Sequence, residues 1–214
     1  MCLEAGAHGI TAHLREDRRH IRDDDVERLR STVTSLFNLE MASTDEMIAI
    51  ACRVRPDVVT LVPERREERT TEGGLEIAKA SPSLRAHVDA LRAAKIKVSL
   101  FVAPDLAQVE ASRAIGAEQI ELHTGEYAHS HGDVAVEKRE LARLQAAATR
   151  GRELGLEIAA GHGLTTSNVG ALVAIPELVE LNIGHAVIAD AVFAGLPGAV
   201  RAMLAAIDKG RAHP

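Results

Sequence analysis

The stretch GAHGITAH at residues 6–13 carries the pattern that decides the fold: a glycine is followed seven residues later by a histidine, with a strand-like run before the histidine. The same spacing returns in GAEQIELH at 116–123 and in GLEIAAGH at 155–162. A glycine that closes a helix, a short buried strand and a polar residue at the strand end form the repeating unit of a parallel βα array. Such folds bind ligands at the carboxyl ends of their strands, so the three histidines predict a site at one rim.

Length and composition agree with an α/β domain. The chain has 214 residues, is 46% hydrophobic and contains no Trp, one Tyr and three Phe, so its core must be built from aliphatic side chains. A net charge of −6 argues against a general nucleic-acid binder. Two cysteines, a start unlike a signal peptide and no apolar run of membrane-spanning length favour a soluble, cytoplasmic protein without membrane contact.

Seven strand-like segments alternate with helical stretches along the chain. They cover residues 9–14, 36–41, 57–62, 96–102, 118–123, 156–161 and 179–184. Strands that alternate with helices predict a parallel sheet, which can be open or closed into a barrel. No low-complexity segment or Pro/Gly/Ser-rich linker divides the chain, so residues 1–214 are expected to form a single barrel domain.

Polar residues within the strands distinguish an open sheet from a closed one. If the terminal histidines point inward, period two places a set of polar side chains on the same inner face. These are Thr11, Asn38, Glu40, Glu121, Glu180 and Asn182. Both faces of an open doubly wound sheet should be apolar, whereas a barrel can hold polar side chains in its lumen. We therefore expect a TIM-type (βα)8 barrel in which seven βα units are visible and the first strand is missing.

The inward carboxylates have two possible roles. Glu40, in NLEMA at a strand tip, is a candidate general base, because apolar neighbours disfavour its charged form and raise its pKa. The alternative is an interior carboxylate neutralised by a cation. We prefer that alternative for Glu121 and Glu180, which lie deeper in their strands, and we expect the inward Lys97 to pair with one of them.

The segment HLREDRRH at 13–20 begins at a strand tip and continues into a loop. His13 is a candidate acid or base, and the cationic side chains that follow it can bind an anion. They are Arg15, Arg18, Arg19 and His20. The alternative is a solvated loop in which Glu16 and Asp17 neutralise the arginines.

A second candidate anion site lies in the loop PERREERTTEGG at 63–74. Its hydroxyls, Thr70 or Thr71, and its two glycines can present donors to a phosphate. The loop is not a P-loop and lacks the P-loop lysine, so the motif by itself is weak.

A third candidate anion site follows the last two strands, at GHG 161–163 and GH 184–185. Loops at this position are the usual phosphate cradle of (βα)8 barrels, completed by a helix N-terminus. Gly163 and Gly184 would supply the backbone N–H groups. The alternative is that these glycines only permit tight strand-to-helix turns.

The motifs HLREDRRHI, NLEMA, LVPE followed by TTEGGL, SLF (99–101), ELHTG, AGHGLT and LNIGHA occur in the chain in this order. On these motifs the chain, from about residue 5 to about residue 207, resembles the pyridoxine 5′-phosphate synthase family of vitamin B6 biosynthesis. The resemblance implies a (βα)8 barrel that joins 1-deoxy-D-xylulose 5-phosphate to 3-amino-2-oxopropyl phosphate. The implied products are pyridoxine 5′-phosphate, phosphate and water, and the implied reaction uses no metal or redox cofactor.

The resemblance also implies roles for individual residues. His13 and Glu40 match the family's proton acceptors, and His162 matches its proton donor. Arg15, His20 and Thr70 match contacts to the deoxyxylulose phosphate, and Gly163, Gly184 and His185 match contacts to the amino-oxopropyl phosphate. The resemblance leaves the role of His123 open.

The family opens with a further βα unit, which carries an asparagine, an aspartate–histidine pair and an arginine that contact both substrates. We expect the chain to lack this unit, with Met1 falling inside what is the family's first helix. A barrel open between segments 9–14 and 179–184 exposes unpaired backbone groups, which favours a homo-oligomer.

Three other functional hypotheses fit parts of the sequence. A phosphate-binding barrel lyase, aldolase or epimerase would need a metal or a Schiff-base lysine, and Lys97 is the only lysine on a strand. A metal hydrolase could use the histidines at strand ends, but none of these belongs to a His-x-His pair; they are His13, His123, His162 and His185. A truncated barrel without activity, acting as an oligomerising or phosphate-ligand-binding protein, is the third.

Overall fold

The computed structural model describes residues 1–64, 68–70, 73–130 and 132–212. The strands are β1 (Gly9–Leu14), β2 (Leu36–Met41), β3 (Val58–Leu61), β4 (Lys97–Val102), β5 (Gln119–His123), β6 (Glu157–Gly161) and β7 (Leu178–Asn182). The helices are α1 (Asp23–Thr32), α2 (Asp45–Val54), α3 (Pro82–Ala93), α4 (Leu106–Ile115), α5 (Gly125–His129), α6 (Val134–Glu153), α7 (Val169–Leu172), α8 (His185–Ala194) and α9 (Leu196–Ala212). A 3₁₀ turn at Leu3–Ala5 precedes β1. All seven predicted strands are confirmed to within two residues.

The strands form one parallel sheet whose spatial order is the order of the chain, from β1 to β7. The sheet curls until side chains of its two edge strands meet: Thr11 Oγ1 on β1 donates to Asn182 Oδ1 on β7 at 2.7 Å. Within the described residues, β1 and β7 each pair along the backbone with one neighbouring strand. The architecture is a TIM-type barrel with seven βα units and a seam between β1 and β7.

The three glycines of the repeated sequence spacing end helical segments. Gly6 follows the 3₁₀ turn with φ 110°, Gly116 closes α4 with φ 102°, and Gly155 follows α6 with φ 79°. Positive φ is readily adopted by glycine and strained for other residues. The pattern therefore predicted β1, β5 and β6, because in each case glycine ends a helical segment two or three residues before the strand begins.

The core lies between the sheet and its helices and is almost entirely aliphatic. The outward residues of β2, β4 and β5 are fully buried, Phe37 being the only aromatic among them; they are Phe37, Leu39, Met41, Val98, Leu100, Val102, Ile120 and Leu122. Full burial of such a side chain stabilises the fold by about 1.5–3 kcal/mol. This apolar outer face fixes the inner face as the polar one, as the strand pattern predicted.

The prediction that Lys97 pairs with Glu121 or Glu180 is wrong. Lys97 Nζ donates to Glu157 Oε2 at 2.6 Å. Both residues begin their strands, so they lie at the amino end of the barrel, whereas Glu121 and Glu180 lie farther along theirs. Period two gives the face of a side chain but not its height along the barrel axis.

Candidate active site

Three side chains meet at the carboxyl ends of β1 and β2 and at the start of the loop after β3. Backbone pairing sets His13 directly beside Glu40, and His13 Nδ1 lies 3.9 Å from Glu40 Oε2. On its other side, His13 Nε2 lies 3.0 Å from Glu64 Oε1. The structure therefore brings together His13 and Glu40, as expected for a site at this rim, and adds Glu64 to them.

Glu40 is suited to accept a proton. Burial raises the pKa of its carboxyl, and the nearby His13 opposes part of this shift. A carboxylate with a raised pKa is a stronger base than an exposed one, and 22% of the side chain is exposed to receive a proton from the lumen.

Glu121 lies deeper in the lumen and is not neutralised by a lysine, contrary to the expectation for it. Burial raises its pKa well above the usual range, and the neighbouring charge of Glu40 adds to the effect, while a hydrogen bond from Asn182 acts against it. Asn182 Nδ2 donates to Glu121 Oε2 at 2.7 Å, and Asn182 also accepts from Thr11. Burial and the charge of Glu40 thus favour the neutral form of this carboxyl, and the bond from Asn182 opposes them only in part.

Glu180 is also held by an amide, not by a lysine. Gln119 Nε2 donates to Glu180 Oε2 at 3.1 Å. Both carboxyl groups therefore accept from an amide across the lumen, between β5 and β7.

A second group of side chains forms at the ends of β4, β5 and β6. The rings of His123 and His162 lie 4.9 Å apart, and Phe101 contacts the edge of His123 at 5.2 Å between centroids. Burial, followed by the neighbouring His162, lowers the pKa of His123 to about 4. Burial also lowers the pKa of His162. Both imidazoles are therefore favoured in their neutral form near neutral pH.

Close glycines hold His123 in place. A Cβ on Gly125 would lie 2.5 Å from His123 Cε1, and one on Gly73 would lie 3.4 Å from it. His123 Nδ1 is buried without a hydrogen-bond partner in the described part of the chain. This stacking of His123 on His162 could not be read from the sequence, which gave only their positions at strand ends.

The cationic segment after β1 divides into paired and available side chains. Arg19 is bound to Asp17, as the solvated-loop alternative expected, whereas Arg18 is bound to Asp23 and Glu46, outside the acids that this alternative named. Arg15 Nε is buried and lies 3.5 Å from an Asp17 oxygen without forming a hydrogen bond in the described structure. His20 is exposed in the same segment. Arg15 is therefore the arginine with a buried donor to offer.

The loop after β3 supplies a second unused donor. Thr70 Oγ1 is buried, and no hydrogen-bond partner for it is found among the described residues. The loop is held by a bond from the Thr70 N–H to the Gly74 carbonyl at 2.8 Å. Gly74 packs so closely against β4 that a Cβ would lie 2.3 Å from the Ala103 nitrogen. Thr71, the other predicted hydroxyl, lies outside the described residues.

The two glycine turns after β6 and β7 follow neighbouring strands. Gly161 and Asn182 are paired in the sheet, so the turns at 161–163 and 184–185 leave it side by side. Thr124 Oγ1 donates to the carbonyls of Gly161 and His162, both at 2.7 Å, which fixes the first turn. Gly163 has φ 79°, so its turn requires glycine.

The second turn leads directly into a helix. Gly184 is the N-cap of α8, and His185 is the first residue of that helix. A Cβ on Gly184 would have no neighbour within 4 Å among the described atoms, so the turn is open on that side. The first N–H groups of α8 have no partners within the helix and favour an anion.

Two further observations bear on other functional classes. In the described residues there is no group of three or more His, Cys, Asp or Glu side chains arranged to hold a metal ion. None of the described helices is both long enough and apolar enough to cross a membrane.

Glu64 is the member of the site that sequence reasoning missed. It lies two residues beyond the segment predicted as the third strand, and the rule that selected His13, a polar residue at the carboxyl end of a strand, also applies to it. The sequence pattern assigns a role in the loop 63–74 only to the hydroxyls and glycines that could bind a phosphate, and none to Glu64.

Comparison with known proteins gives consistent sequence matches. A family sequence model described as pyridoxal phosphate biosynthesis protein PdxJ matches residues 1–209. A protein of Xanthobacter autotrophicus, named pyridoxine 5′-phosphate synthase, is 54% identical over 210 residues, covering 97% of this chain and 82% of the relative. A protein of the same name from Synechococcus sp. is 56% identical over 209 residues, covering 98% of this chain and 83% of the relative.

Solved structures with low sequence identity share the fold. KGPDC from Streptococcus mutans has a TM-score of 0.66 at 15% identity, covering 97% of this chain and 91% of the other. Phosphoribosyl anthranilate isomerase from Thermus thermophilus has a TM-score of 0.60 at 13% identity, covering 97% of this chain and 90% of the other. At these identities the likeness shows the barrel architecture alone.

Proposed function

Because the chain belongs to the family of the pyridoxal phosphate biosynthesis protein PdxJ, we propose that it is a pyridoxine 5′-phosphate synthase. It condenses 1-deoxy-D-xylulose 5-phosphate with 3-amino-2-oxopropyl phosphate and releases pyridoxine 5′-phosphate, phosphate and water. The observation that carries the proposal is the pairing of His13 with the partly buried Glu40 at adjacent strand ends, in a chain more than half identical to proteins of that name.

The proposed reaction is a series of proton transfers. Imine formation, elimination of phosphate and aldol-type ring closure each remove a proton from one atom and deliver one to another. Glu40 and His13 are the proposed proton acceptors, and the raised pKa of Glu40 supports its role as a base. His162 is the proposed donor, acting from the turn after β6 beside His123.

The two phosphate groups are assigned to the two donor-rich regions. Arg15, His20 and Thr70 are the proposed contacts of the deoxyxylulose phosphate, supported by Arg15 Nε and Thr70 Oγ1, which are buried and have no hydrogen-bond partner among the described residues. Gly163, Gly184 and His185 are the proposed contacts of the amino-oxopropyl phosphate, supported by the open turn at the start of α8. Buried donors without partners are costly unless a ligand pairs with them.

The test is a turnover assay with both substrates. It is run on the chain and on the same chain extended at its N-terminus by the first βα unit of the Xanthobacter relative, each beside its Glu40→Gln variant. Formation of pyridoxine 5′-phosphate by either form, with loss in the variant, supports the proposal. If neither folded form makes product, the proposal is wrong, and binding of deoxyxylulose phosphate without turnover would identify a phosphate-ligand-binding protein instead.

A further inference from the structure

We propose that Glu64 is a positioning residue for His13: it accepts the Nε2–H of the imidazole and so leaves Nδ1, on the side of Glu40, as the nitrogen that exchanges protons. The use made of that nitrogen rests on the function proposed above. The assignment of the tautomer rests on the geometry alone.

Glu64 is itself held rigidly. Only 5% of its side chain is exposed. One carboxylate oxygen lies 3.0 Å from His13 Nε2, and the other accepts the backbone N–H of Glu16 at 3.1 Å. Arg15 Nη2 lies 4.0 Å from this second oxygen. A backbone N–H has a fixed direction, so the carboxylate is anchored on one side and presents its free oxygen to the imidazole on the other.

The chemistry of the two groups decides where the imidazole proton lies. An ionised carboxylate only accepts hydrogen bonds, whereas each nitrogen of a neutral imidazole is either a donor or an acceptor. The Glu16 N–H and the Arg15 guanidinium only donate, so Glu64 meets both with acceptor oxygens, and as a carboxylate it offers an acceptor to His13 as well. His13 Nε2 must then carry the hydrogen, and Nδ1 carries the lone pair.

The lone pair on Nδ1 points towards the reacting region of the lumen. Nδ1 lies 3.9 Å from Glu40 Oε2, a distance too long for a direct hydrogen bond. His13 Nδ1 and Glu40 Oε2 face the same space, and each can accept a proton. His13 and Glu40 can therefore act on neighbouring atoms of one ligand. Glu64 thus has the role that the carboxylate of a catalytic triad has towards its histidine.

Replacing Glu64 by glutamine gives a sharp test. The two side chains have the same shape, but glutamine carries an NH₂ donor where the carboxylate has a second acceptor oxygen. The Glu16 N–H needs an acceptor, so the amide oxygen of the glutamine should face it. The amide NH₂ then faces His13 Nε2 and donates to it, which forces the imidazole hydrogen onto Nδ1. Glu64→Gln should therefore invert the tautomer of His13 without removing the contact.

The tautomer is measured by ¹⁵N NMR of histidine-labelled protein, at a pH where the imidazole is neutral. Protonated and unprotonated ring nitrogens resonate far apart, and a His13→Gln variant assigns the signal. We expect Nε2–H in the wild type and Nδ1–H in Glu64→Gln. Nδ1–H in the wild type, or Nε2–H retained in the variant, would overturn the proposal.

A matched control lies four residues along the same loop. Glu68 Oε2 accepts the N–H of Glu64 at 3.0 Å, so Glu68→Gln removes one carboxylate charge from the loop without altering the Glu64 side chain. The control should keep the Nε2–H tautomer, and inversion in Glu68→Gln would show that loop charge, not Glu64, sets it.

Kinetics separate positioning from substrate binding. In a form that turns over, Glu64→Gln should lower kcat about 10²–10⁴-fold with little change in KM, the loss typical of a misplaced acid–base group. A fall in kcat without inversion of the tautomer would refute the mechanism. Absence of turnover in the wild type would count against the proposed function, while the NMR result would still decide the role of Glu64.

Discussion

Replacing Glu121 by glutamine should change how the stability of the protein depends on pH. Glu121 is 3% exposed, and burial raises its pKa well above the usual value of 4.5. A carboxyl whose pKa is raised by folding binds more protons in the native than in the unfolded state. Its stabilising contribution is therefore complete below the unfolded pKa and is lost as the pH rises towards the native pKa.

The slope of this loss follows from proton linkage. Between the unfolded and the native pKa the native state holds one proton more, so the free energy of unfolding falls by about 1.4 kcal/mol per pH unit. Glu121→Gln removes this term, since an amide does not titrate, and can keep the bond from Asn182 through its oxygen. The wild type should therefore lose stability relative to the variant as the pH rises from 5 to 7.

The measurement is urea unfolding of both proteins at pH 5, 6 and 7, comparing the difference in free energy at each pH. The buried Glu40, whose pKa is also raised, remains in both proteins, so most of its contribution cancels. A difference that stays constant with pH, or that grows in favour of the wild type, would refute the assignment of a neutral buried carboxyl to Glu121.

Glu177 supplies a control of the opposite sign. Burial acts to raise its pKa, but hydrogen bonds from Thr149 and Gln145 outweigh burial and lower it. Its contribution is present above the unfolded pKa and is lost as the pH falls through the native pKa. Glu177→Gln should thus reduce stability at neutral pH and reduce it less in acid.

Three further predictions concern the rim and the seam. Removing the ionisable group from each proposed proton-transfer residue should lower kcat about 10²–10⁴-fold with little change in KM, and near-normal kcat in all three variants would refute their roles. The variants are His13→Asn, Glu40→Gln and His162→Asn. Crystals grown with sulfate should hold one anion beside Arg15 and a second at the Gly184 turn, and an ordered but anion-free turn would argue against the cradle. Because α8, which follows the edge strand β7, exposes Val192 (78%) and Phe193 (93%), sedimentation should show concentration-dependent association that a Val192→Ser/Phe193→Ser variant weakens; unchanged association would exclude this surface.

The features predicted correctly are those set by neighbours in the chain. The strand from Gln119 to His123 could be predicted because Gly116 ends the preceding helix and the polar and apolar residues alternate. The same alternation predicted that Glu40 faces inward. Backbone pairing of parallel strands then places strand ends together, which is why His13 and Glu40 were found as a pair.

The features missed depend on positions that sequence patterns do not give. The height of Lys97 along the barrel axis follows from the stagger between strands, which only the assembled sheet defines. The contact between Glu64 and His13 depends on the path of the loop after β3. That path is fixed by tertiary contacts, such as the bond from the Leu75 N–H to the Phe101 carbonyl.

The sequential order of the strands has a consequence for the rate at which the fold forms and breaks. Each strand pairs with the next one along the chain, so the sheet can grow from any neighbouring pair by closing one crossover connection at a time. The bond between Thr11 and Asn182 joins residues 171 positions apart and can form only when all seven strands are in place. A contact absent from the transition state slows unfolding without speeding folding. The seam is therefore where the lifetime of the native state is set, and Thr11→Val should shorten that lifetime while leaving the folding rate unchanged.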